Sequence, residues 1–396
     1  MNSNKKIGLL IPHLESGGAE RVVSITSKLF EESGIDVFVF VYDDSNISYD
    51  YGGTLVNLNS SASNNKILKV LNRFSRIIKL SYYLRKYNIE TTISFLYAAN
   101  TVNYFANHKG KSILTCRGQR DYEKNGHKYS KMIKNSFRFI VQTDRMKLDF
   151  INDYNVDSSK LIVLPNPFNV DYIQKLSHEK LKQSELDFIN FTETHTTAVT
   201  MGAFKQDKGY WHLIKAFILA KKEIPDLGLV FIGHRGELEK DIKEMIKKSG
   251  LQEDVFFVGF QKNPYNFLMR CDFYVCSSLN EGFPNAIVEA MAVGLPVIST
   301  DCKNGPKEIL MQSEERNNNL PFFKSYGILI EPFKSGPPNY HVNQINREEE
   351  KLAEKIIELS INKELRATYS SLSYERSLVY DYDTFFKKLS KTLEKC

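Results

Sequence analysis

The sequence predicts an α/β protein of two Rossmann-like domains that face each other across a cleft. Three observations support this prediction. The chain has 396 residues, which is too long for one ordinary domain. Short apolar strands alternate with helical patterns from the N-terminus, and the same alternation restarts after residue 196. Such β-α-β alternation is typical of parallel sheets joined by right-handed crossovers.

The first domain begins with the buried strand KIGLLIP, Lys6–Pro12, followed by a helix from the Gly17-Gly18 turn to about Glu32. A second strand at Asp36–Tyr42 completes a β-α-β unit. Further strands are expected at Thr91–Phe95, Ser112–Thr115, Phe137–Thr143 and Leu161–Leu164. The polar segment Ser177–Thr196 that follows has few strand signals.

The second domain repeats the pattern. Strands are expected at Thr197–Met201, Gly228–Ile232, Val255–Val258, Phe273–Cys276, Pro296–Thr300 and Gly327–Leu329, and a polar, helix-rich tail runs from about Arg347 to Cys396. We therefore expect one domain at residues 1–170, a second at 171–375, and a C-terminal helix at 376–396 that crosses back to the first. Ligands of such sheets bind outside the carboxyl ends of the strands, so the site is expected in the cleft.

The composition is that of a soluble globular protein, with 42% apolar and 25% charged residues. No stretch approaches the roughly 20 apolar residues that span a bilayer. The apolar run near the N-terminus is too short for a signal peptide and fits a first strand. The five cysteines are scattered without zinc-like spacing, so reduced thiols in a cytoplasmic protein are the simplest interpretation.

The net charge of +6 is unevenly distributed. Residues 51–150 hold 18 Lys and Arg against 5 Asp and Glu, whereas the rest of the chain is acidic. Within this region, Lys66–Tyr87 has seven basic residues, no acidic residue, and apolar residues at helical spacing. Three interpretations stay open: an amphipathic helix packed on its own domain, a helix lying on an anionic bilayer surface, and nucleic-acid binding, for which no base-reading motif is present.

Four loops meet the physical requirements for binding an anion: Ser16–Glu20, Met201–Gly209, Ile232–Gly236 and the loop that begins at Asn280. Gly17 and Gly18 stand where a strand passes into a helix, so the backbone can approach a ligand and the helix dipole favours negative charge. Their spacing is not GxGxxG, so no dinucleotide fingerprint is present. Gly202 opens the second loop, in which Lys205 and Lys208 follow a strand end and can contact a phosphate. Taken alone, either of these first two loops is equally compatible with a structural turn.

The stretch NEGFPNAIVEA, Asn280–Ala290, joins a turn-forming loop to an apolar helix. Asn285 is predicted to cap a helix at Ala286–Val293. Glu281 then lies in the loop and Glu289 about one turn inside the helix, so they are not a pair that shares a proton. Carboxylates in this arrangement suit recognition of vicinal sugar hydroxyls better than acid–base chemistry.

Two further features carry less information. The loop at Ile232–Gly236 follows a strand, and its Arg235 is expected in the wall of the cleft. The segment Asp381-Tyr382-Asp383 has the DxD pattern of some metal sites, but it directly precedes a helical pattern. Helix capping is therefore favoured over metal binding.

Several of these segments together resemble a known family. Ser16–Arg21 reads SGGAER, Gly202–Gly209 has the pattern GxxxxxKG, and Glu281–Ala290 reads EGFPNAIVEA with seven residues between its two glutamates. They are similar to glycosyltransferase family 4, retaining enzymes of the GT-B fold that use nucleotide-sugar donors. The resemblance covers nearly the whole chain and includes Gln142-Thr143, Asn166-Pro167, Ser277-Ser278 and Gly294–Val297.

The resemblance implies roles for individual residues. Glu281 would contact hydroxyls of the transferred sugar, Glu289 the ribose hydroxyls, and Lys208 the leaving diphosphate. The catalytic set implied is Lys205, Lys208, Glu281 and Arg117. The donor-binding set implied is Gly17, Gly18, Gly202, Arg235, Phe260, Gly282, Phe283, Pro284, Asn285, Ala286 and Glu289. No metal ion or other cofactor is expected.

Two departures from the family pattern bear on these roles. Many members have Arg directly after the first glycine of GxxxxxKG, but this chain has Ala203, so Lys205 is expected to substitute. Many members also have a histidine near the fourth N-terminal strand. The matching stretch here, Leu114–Arg120, resembles the branch with arginine at this place, often found in surface-polysaccharide assembly, which indicates Arg117.

The resemblance therefore implies transfer of a hexose or N-acetylhexosamine, with retained anomeric configuration, from a nucleotide diphosphate sugar that is UDP-linked by family frequency. The basic region suggests a lipid-diphosphate-linked glycan as acceptor, such as capsule or O-antigen, and a bacterial protein on the inner face of the cell membrane. A nucleotide-sugar 2-epimerase of the same fold and a non-catalytic sugar- or membrane-binding protein are the alternatives. The first needs an acid/base cluster, and none is evident.

Overall fold

The computed structural model describes residues 5–15, 17–61, 63–107, 110–315, 321–334 and 336–394. The chain forms two compact units. Unit 1 comprises Met1–Pro167 and Tyr382–Cys396, and unit 2 comprises Phe168–Asp381. Ser16, the first residue of the motif Ser16–Arg21, lies outside the described residues.

Unit 1 is built on a sheet whose described strands all pair in parallel. These strands are β1 Lys6–Leu10, β2 Asp36–Val41, β3 Thr54–Asn57, β4 Thr91–Ser94, β5 Lys111–Cys116, β6 Arg138–Val141 and β7 Leu161–Val163. The helices between them are α1 Gly18–Glu32, α2 Lys66–Lys86, α3 Tyr97–Ala106, α4 Gln119–Ile133 and α5 Asp144–Tyr154. The strand order is β3-β2-β1-β4-β5-β6-β7. Successive strands are added on one side of β1 up to β3 and on its other side from β4 onwards, so the switch point lies between β1 and β4.

The edge strand β3 is the one element of this sheet that the sequence pattern does not predict. It has four residues, of which only Val56 is buried, so it carries no readable alternation. Gly53 precedes it with φ +80°, and a Cβ at that position would overlap the carbonyl oxygen of Val37 on β2. Strand β3 therefore depends on this close backbone approach, a tertiary contact that local hydrophobicity does not encode.

Unit 2 is built on a second parallel sheet. Its described strands are β8 Thr196–Met201, β9 Leu227–Ile232, β10 Val255–Gly259, β11 Phe273–Cys276, β12 Val297–Thr300 and β15 Ile328–Ile330. An antiparallel ribbon, β13 Met311–Glu315 with β14 Pro321–Ser325, lies between β12 and β15 in the chain and was not predicted. Its two strands, MQSEE and PFFKS, show no alternation of apolar and polar residues. The main sheet has the order β10-β9-β8-β11-β12-β15.

The helices of unit 2 connect and cover these strands. They are α6 Val170–Ser177, α7 Leu186–Thr194, α8 Tyr210–Glu223, α9 Glu239–Lys248, α10 Tyr265–Leu268, α11 Asn285–Ala292, α12 Pro306–Leu310, α13 Arg347–Ile361 and α14 Lys363–Ser377. The prediction of two Rossmann-like α/β units is confirmed, as is the helix-rich tail.

The last helix, α15 Tyr382–Glu394, belongs to unit 1. Its Phe385, Leu389 and Leu393 are buried in the same apolar cluster as Phe30 of α1. The ring of Phe386 lies 6.0 Å from that of Phe30. Within the part of the chain described, no helix is long and apolar enough to cross a membrane.

Candidate active site

The candidate site of unit 2 lies at the carboxyl ends of two neighbouring strands, β8 and β11. The strand order reverses between them, because β9 and β10 are added on one side and β12 and β15 on the other. Loops that leave such a switch point on opposite faces of the sheet open a crevice in which ligands bind. The loop at 202–209 follows β8 and the loop at 277–284 follows β11, so both predicted motifs start at this point.

Two hydrogen bonds fasten the loops to each other, one between backbone groups and one from a side chain to a backbone carbonyl. The N–H of Leu279 donates to the carbonyl of Asp207 at 2.7 Å, and the hydroxyl of Ser277 donates to the carbonyl of Lys208 at 2.8 Å. Gly209 has φ +59°, and a Cβ there would overlap the carbonyl oxygen of Ser277. Glycine is therefore required at this position both for its conformation and for the close approach of the two loops.

This fastening brings Lys208 and Glu281 together. Lys208 Nζ lies 2.7 Å from Glu281 Oε1, and both side chains are mostly shielded from solvent, with 26% and 13% exposed. The hydroxyl of Ser278 donates to the same carboxylate oxygen at 2.7 Å. Thr300, at the end of β12, donates to the carbonyl of Ser278 at 2.6 Å. Side chains that follow or end three adjacent strands thus fix one carboxylate.

The surroundings of Lys208 favour its charged form. Burial lowers the pKa of Lys208, but the Glu281 carboxylate opposes this, with help from Tyr210 and Cys276, and the net pKa lies above the ordinary 10.5. Burial raises the pKa of the Tyr210 hydroxyl to about 12, although Lys208 opposes the shift. Burial likewise raises the pKa of the Cys276 thiol. Lys208 therefore stays a cation at neutral pH, while Tyr210 and Cys276 stay neutral.

The loop after β11 leads directly into helix α11. The helix begins at Asn285, and Pro284 occupies the N-cap position with φ −75°. The predicted cap at Asn285 and the predicted helix at Ala286–Val293 are thus wrong by one residue, because the fixed φ of proline already suits the helix boundary.

Two side chains anchor this loop in unit 2. Phe283 is buried, and its ring lies 6.4 Å from that of Phe168 and 5.5 Å from that of Tyr380. Pro284 packs so closely on Gly305, which has φ +100°, that a Cβ on Gly305 would overlap its ring. Phe283 and Pro284 therefore pack against unit 2 with their side chains. Their effect on a ligand is to fix the position of the loop backbone.

Backbone donors remain at the start of α11. The N–H groups of Gly282, Phe283 and Ala286 have no hydrogen-bond partner among the described residues. Pro284 has no N–H, so the predicted row of donors is interrupted there. Unpaired N–H groups at a helix start, next to Lys208, make an anion-binding environment.

Glu289 lies one turn inside α11 and is buried, with 7% of its surface exposed. The hydroxyl of Tyr265 on α10 donates to Glu289 Oε1 at 3.2 Å. The sequence gives no signal for this partner, since Tyr265 is 24 positions away in another helix. Glu289 and Glu281 are therefore separate groups with separate partners, as predicted.

The remaining predicted residues of unit 2 follow the ends of β8, β9 and β10. Gly202 donates its N–H to the carbonyl of Ile232 at 2.9 Å, which joins the ends of β8 and β9. Lys205 is exposed and has no ion-pair partner in the described ranges. Arg235 is exposed with φ +60°, and its N–H donates to Glu239. The Phe260 side chain is 66% exposed, so its ring is available for stacking.

In unit 1, Arg117 directly follows β5. Its guanidinium donates to Asn166 Oδ1, which also accepts from Gln142 Nε2 at 2.8 Å. It lies 5.7 Å from the centre of the Phe95 ring. Burial lowers the pKa of Arg117 to about 10. Gln142 and Asn166 belong to the two dipeptides singled out in the sequence. The hydrogen bonds that join Gln142 to Asn166 and Asn166 to Arg117 connect three loops, and the sequence does not predict them.

The Gly17-Gly18 turn begins α1 as predicted. Gly17 is the N-cap residue and Gly18 the first helical residue. A Cβ on Gly18 would meet nothing within 4 Å. Packing therefore does not require glycine at position 18, because the space that a Cβ would occupy there is open.

Asp381 of the DxD segment has a capping role. Its Oδ1 accepts from the N–H of Val170, the first residue of α6, at 3.1 Å. The helix it serves is α6, although the sequence pattern suggested the helix that follows it. Among the described residues there is no group of three His, Cys, Asp or Glu side chains that could hold a metal ion.

Comparison with known proteins identifies the family. Residues 182–320 match the family described as Glycosyl transferases group 1. An uncharacterized glycosyltransferase of Methanocaldococcus jannaschii is 30% identical over 341 residues, which cover 83% of this chain and 82% of that protein. The chain therefore belongs to the group 1 glycosyltransferases.

A second relative is the N-acetylgalactosamine-N,N'-diacetylbacillosaminyl-diphospho-undecaprenol 4-alpha-N-acetylgalactosaminyltransferase of Campylobacter jejuni, which is 27% identical over 83% of this chain and 91% of its own length. The crystal structure of Anabaena HepE in complex with UDP and glucose has a TM-score of 0.73 and 17% identity, over 99% of this chain and 100% of that one. At this identity the likeness shows the fold alone. The predicted GT-B fold and glycosyltransferase class are confirmed.

Proposed function

We propose that this glycosyltransferase transfers a hexose or N-acetylhexosamine, with retention of configuration, from UDP-sugar to a lipid-diphosphate-linked cell-surface glycan. The observation that carries the proposal is the contact of Lys208 with Glu281 at the switch point of the unit 2 sheet. It places a cation beside a carboxylate at the start of α11. A sugar joined to a diphosphate needs both, a positive charge for its phosphates and an acceptor for its hydroxyls.

The diphosphate binds Lys208, Lys205 and the N–H groups at the start of α11 in this proposal. An ammonium group has three donors, so Lys208 can keep its contact with Glu281 and still contact a phosphate. Glu281, already oriented by Ser278, then accepts from the transferred sugar. Glu289 accepts from the ribose, and Phe260 stacks on the base.

The chemistry is a substitution at the anomeric carbon. The bond from that carbon to the diphosphate oxygen breaks, and a bond to the acceptor hydroxyl oxygen forms on the same face. The proton of the acceptor hydroxyl passes to the departing phosphate oxygen. Lys208 and the helix start stabilise the negative charge that develops on the leaving group, and one such donor is typically worth about 10²–10³ in kcat. No metal ion is required in this scheme.

Two comparisons support the choice of substrates. The Anabaena structure was solved with UDP and glucose, which supports a UDP-linked donor. The name of the Campylobacter relative specifies a saccharide on diphospho-undecaprenol as acceptor, which supports a lipid-diphosphate-linked acceptor here.

The surface of α2 supports an anionic membrane as a partner. Ile67, Leu71, Phe74 and Ile78 follow one another at helical spacing and are each 56–70% exposed. Such an apolar stripe, flanked by the exposed basic residues Lys66, Lys69, Arg73 and Arg85, is typical of helices that lie in a bilayer interface. Each basic group near anionic lipid contributes about 1 kcal/mol.

Not every basic residue of this helix is available for that purpose. Arg76 donates to the carbonyl of Ser60 at 2.6 Å, and Lys79 donates to the carbonyl of Leu58 at 2.6 Å. These two side chains fix α2 to the segment that follows β3. The side of α2 that carries Arg76 and Lys79 is therefore packed on its own unit. The apolar stripe lies on the exposed side of the helix.

Thermal unfolding in the presence of a panel of UDP-sugars tests the proposal. A donor that binds the folded chain raises the unfolding temperature by an amount that grows with the logarithm of its concentration relative to its Kd. We expect one UDP-hexose or UDP-N-acetylhexosamine to stabilise the protein more than UDP alone. If no UDP-sugar of the panel raises the unfolding temperature and a sugar linked to another nucleotide does, the UDP-linked donor is excluded.

A further inference from the structure

Arg117 differs from Lys208 in having no counter-charge among the residues that the structure describes. We propose that Asn166 and Gln142 are positioning residues that hold the Arg117 guanidinium as an uncompensated cation, so that it binds a phosphate group of a sugar diphosphate. The inference deepens the proposed function, because it rests on the role of Arg117 as a substrate-binding group. It assigns a task to two amide side chains that make no other evident contribution to the chemistry.

The cluster is assembled from three consecutive strands of the unit 1 sheet. Arg117 follows β5, Gln142 follows β6 and Asn166 comes shortly after β7. Asn166 Oδ1 accepts from both Arg117 and Gln142. Gln142 and Asn166 are buried, with 3% and 7% of their surfaces exposed, so their side chains have little freedom. The Arg117 guanidinium is held by Asn166, whose side chain is in turn held by Gln142, so its direction is fixed.

Acidic residues are present near the cluster, with Asp121 in the first turn of α4 and Asp144 in the first turn of α5. In the described part of the chain, no carboxylate contacts Arg117. Asp121 is near in sequence, but its two oxygens accept from Asn125 and Tyr129 instead. Two helices, α4 and α5, begin directly after Arg117 and Gln142-Thr143, and helix N-termini add partial positive charge. Burial lowers the pKa of Arg117 only to about 10, so the group is charged at neutral pH.

A partly buried cation without a counter-charge is unfavourable unless an anionic ligand completes it. Phosphate fits best, because the planar guanidinium binds it with two parallel hydrogen bonds. Gln142 Oε1 is buried and accepts no hydrogen bond from the residues described. A hydroxyl next to the phosphate would supply the missing donor, which indicates a sugar diphosphate.

Such a group occurs in both proposed substrates, the UDP-sugar and the lipid-linked acceptor. The test compares binding of UDP with binding of geranyl diphosphate, a soluble prenyl diphosphate, by isothermal titration of the full chain. The informative variant is Asn166→Asp, which keeps the size of the side chain and its acceptor oxygens but neutralises Arg117. Gln142→Glu is a second variant, which replaces the Nε2 donor to Asn166 Oδ1 by a carboxylate and so removes the support of Asn166 while adding a negative charge.

We expect Asn166→Asp to bind one of the two probes about tenfold or more weakly, since charge-assisted phosphate contacts are among the strong hydrogen bonds. Its unfolding temperature should be equal to or higher than that of wild type. A loss confined to UDP assigns the cluster to the donor, and a loss confined to geranyl diphosphate assigns it to the acceptor. Asn362→Asp, at the exposed N-cap of α14, is the matched control for an added carboxylate and should change neither affinity.

A double-mutant cycle separates positioning from general damage. In an Arg117→Ala background, Asn166→Asp should cause little further loss, because the charge that it would cancel is already absent. Losses that multiply in the double variant, or wild-type affinity for both probes in Asn166→Asp and Gln142→Glu, overturn the inference while the proposed function stands. Wild-type protein that binds neither probe overturns both.

Discussion

Lys208 Nζ and Glu281 Oε1 are 2.7 Å apart, although 73 positions separate the two residues in the chain. The contact exists because the loops after the adjacent strands β8 and β11 both start at the switch point. A hydrogen bond between backbone groups joins the two loops there. Ser278 holds the carboxylate and Gly209 allows the approach. Each part of this arrangement has a measurable consequence.

The Gly209 position tests the fastening of the two loops. Gly209→Ala should destabilise unit 2 by more than the roughly 1–2 kcal/mol of a left-handed alanine, because its Cβ also overlaps Ser277. It should also reduce transfer by displacing Lys208. Urea unfolding and steady-state kinetics would measure both effects. Gly250→Ala is the matched control, since Gly250 has φ +70° but open space around its Cβ.

The informative quantities are the differences in unfolding free energy and in transfer rate between Gly209→Ala and Gly250→Ala. If Gly209→Ala and Gly250→Ala lose equal stability and both keep full activity, the close approach of the loops does not position Lys208.

The hydroxyl of Ser278 is predicted to orient Glu281. Ser278→Ala removes one hydrogen bond from the carboxylate, which typically contributes about 1 kcal/mol, so kcat/KM should fall about fivefold. The fall should appear mainly in the steps that involve the transferred sugar. Ser249→Ala, which removes a helix-end hydroxyl bonded to the carbonyl of Met245, should leave kcat/KM unchanged. Equal kinetics for both variants would contradict the role of Ser278.

The charge of Lys208 predicts how stability depends on pH. Folding raises the pKa of Lys208 above 10.5, so its contribution to stability is fully present below pH 10.5 and is lost as pH rises through the higher folded pKa. The difference in unfolding free energy between wild type and Lys208→Gln should therefore be constant from about pH 7 to 10 and shrink above that range. Urea titrations at several pH values would measure it. Shrinkage already between pH 7 and 9 would show that Lys208 is not stabilised as a cation.

The exposed stripe of α2 predicts binding to anionic membranes. In liposome flotation, wild-type protein should float with vesicles that contain anionic lipid and stay in solution with neutral ones. Phe74→Ser with Ile78→Ser should abolish flotation. Ile361→Ser, at the equally exposed end of α13, should have no effect. Equal binding to neutral and anionic vesicles, or binding to neither, would exclude electrostatic attachment through α2.

The sequence predicts those parts of the site that depend on local chemistry. Gly209, Glu281 and the start of α11 follow from turn residues, charges and an apolar helix within a few positions. The one-residue error at Asn285 has a local cause, because Pro284 already provides the boundary conformation.

The parts that the sequence does not predict are contacts between distant segments. The partners of Glu281 and Glu289, namely Lys208 and Tyr265, come from other loops and helices. Two basic residues of α2, Arg76 and Lys79, are used in packing, which composition cannot distinguish from surface charge. Strand β3 likewise forms through a backbone approach at Gly53, which has no hydrophobic signature.

The most direct measurement is the rate of sugar transfer by Lys208→Ala and Glu281→Ala, with the UDP-sugar that stabilises wild type most. Each variant should lose about a hundredfold or more in kcat/KM while it unfolds cooperatively. Lys248→Ala breaks an exposed ion pair with the same 2.7 Å separation, Lys248 to Glu244, and should retain wild-type rates. Near-normal transfer by either site variant would contradict the assignment of Lys208 and Glu281 to the reacting donor.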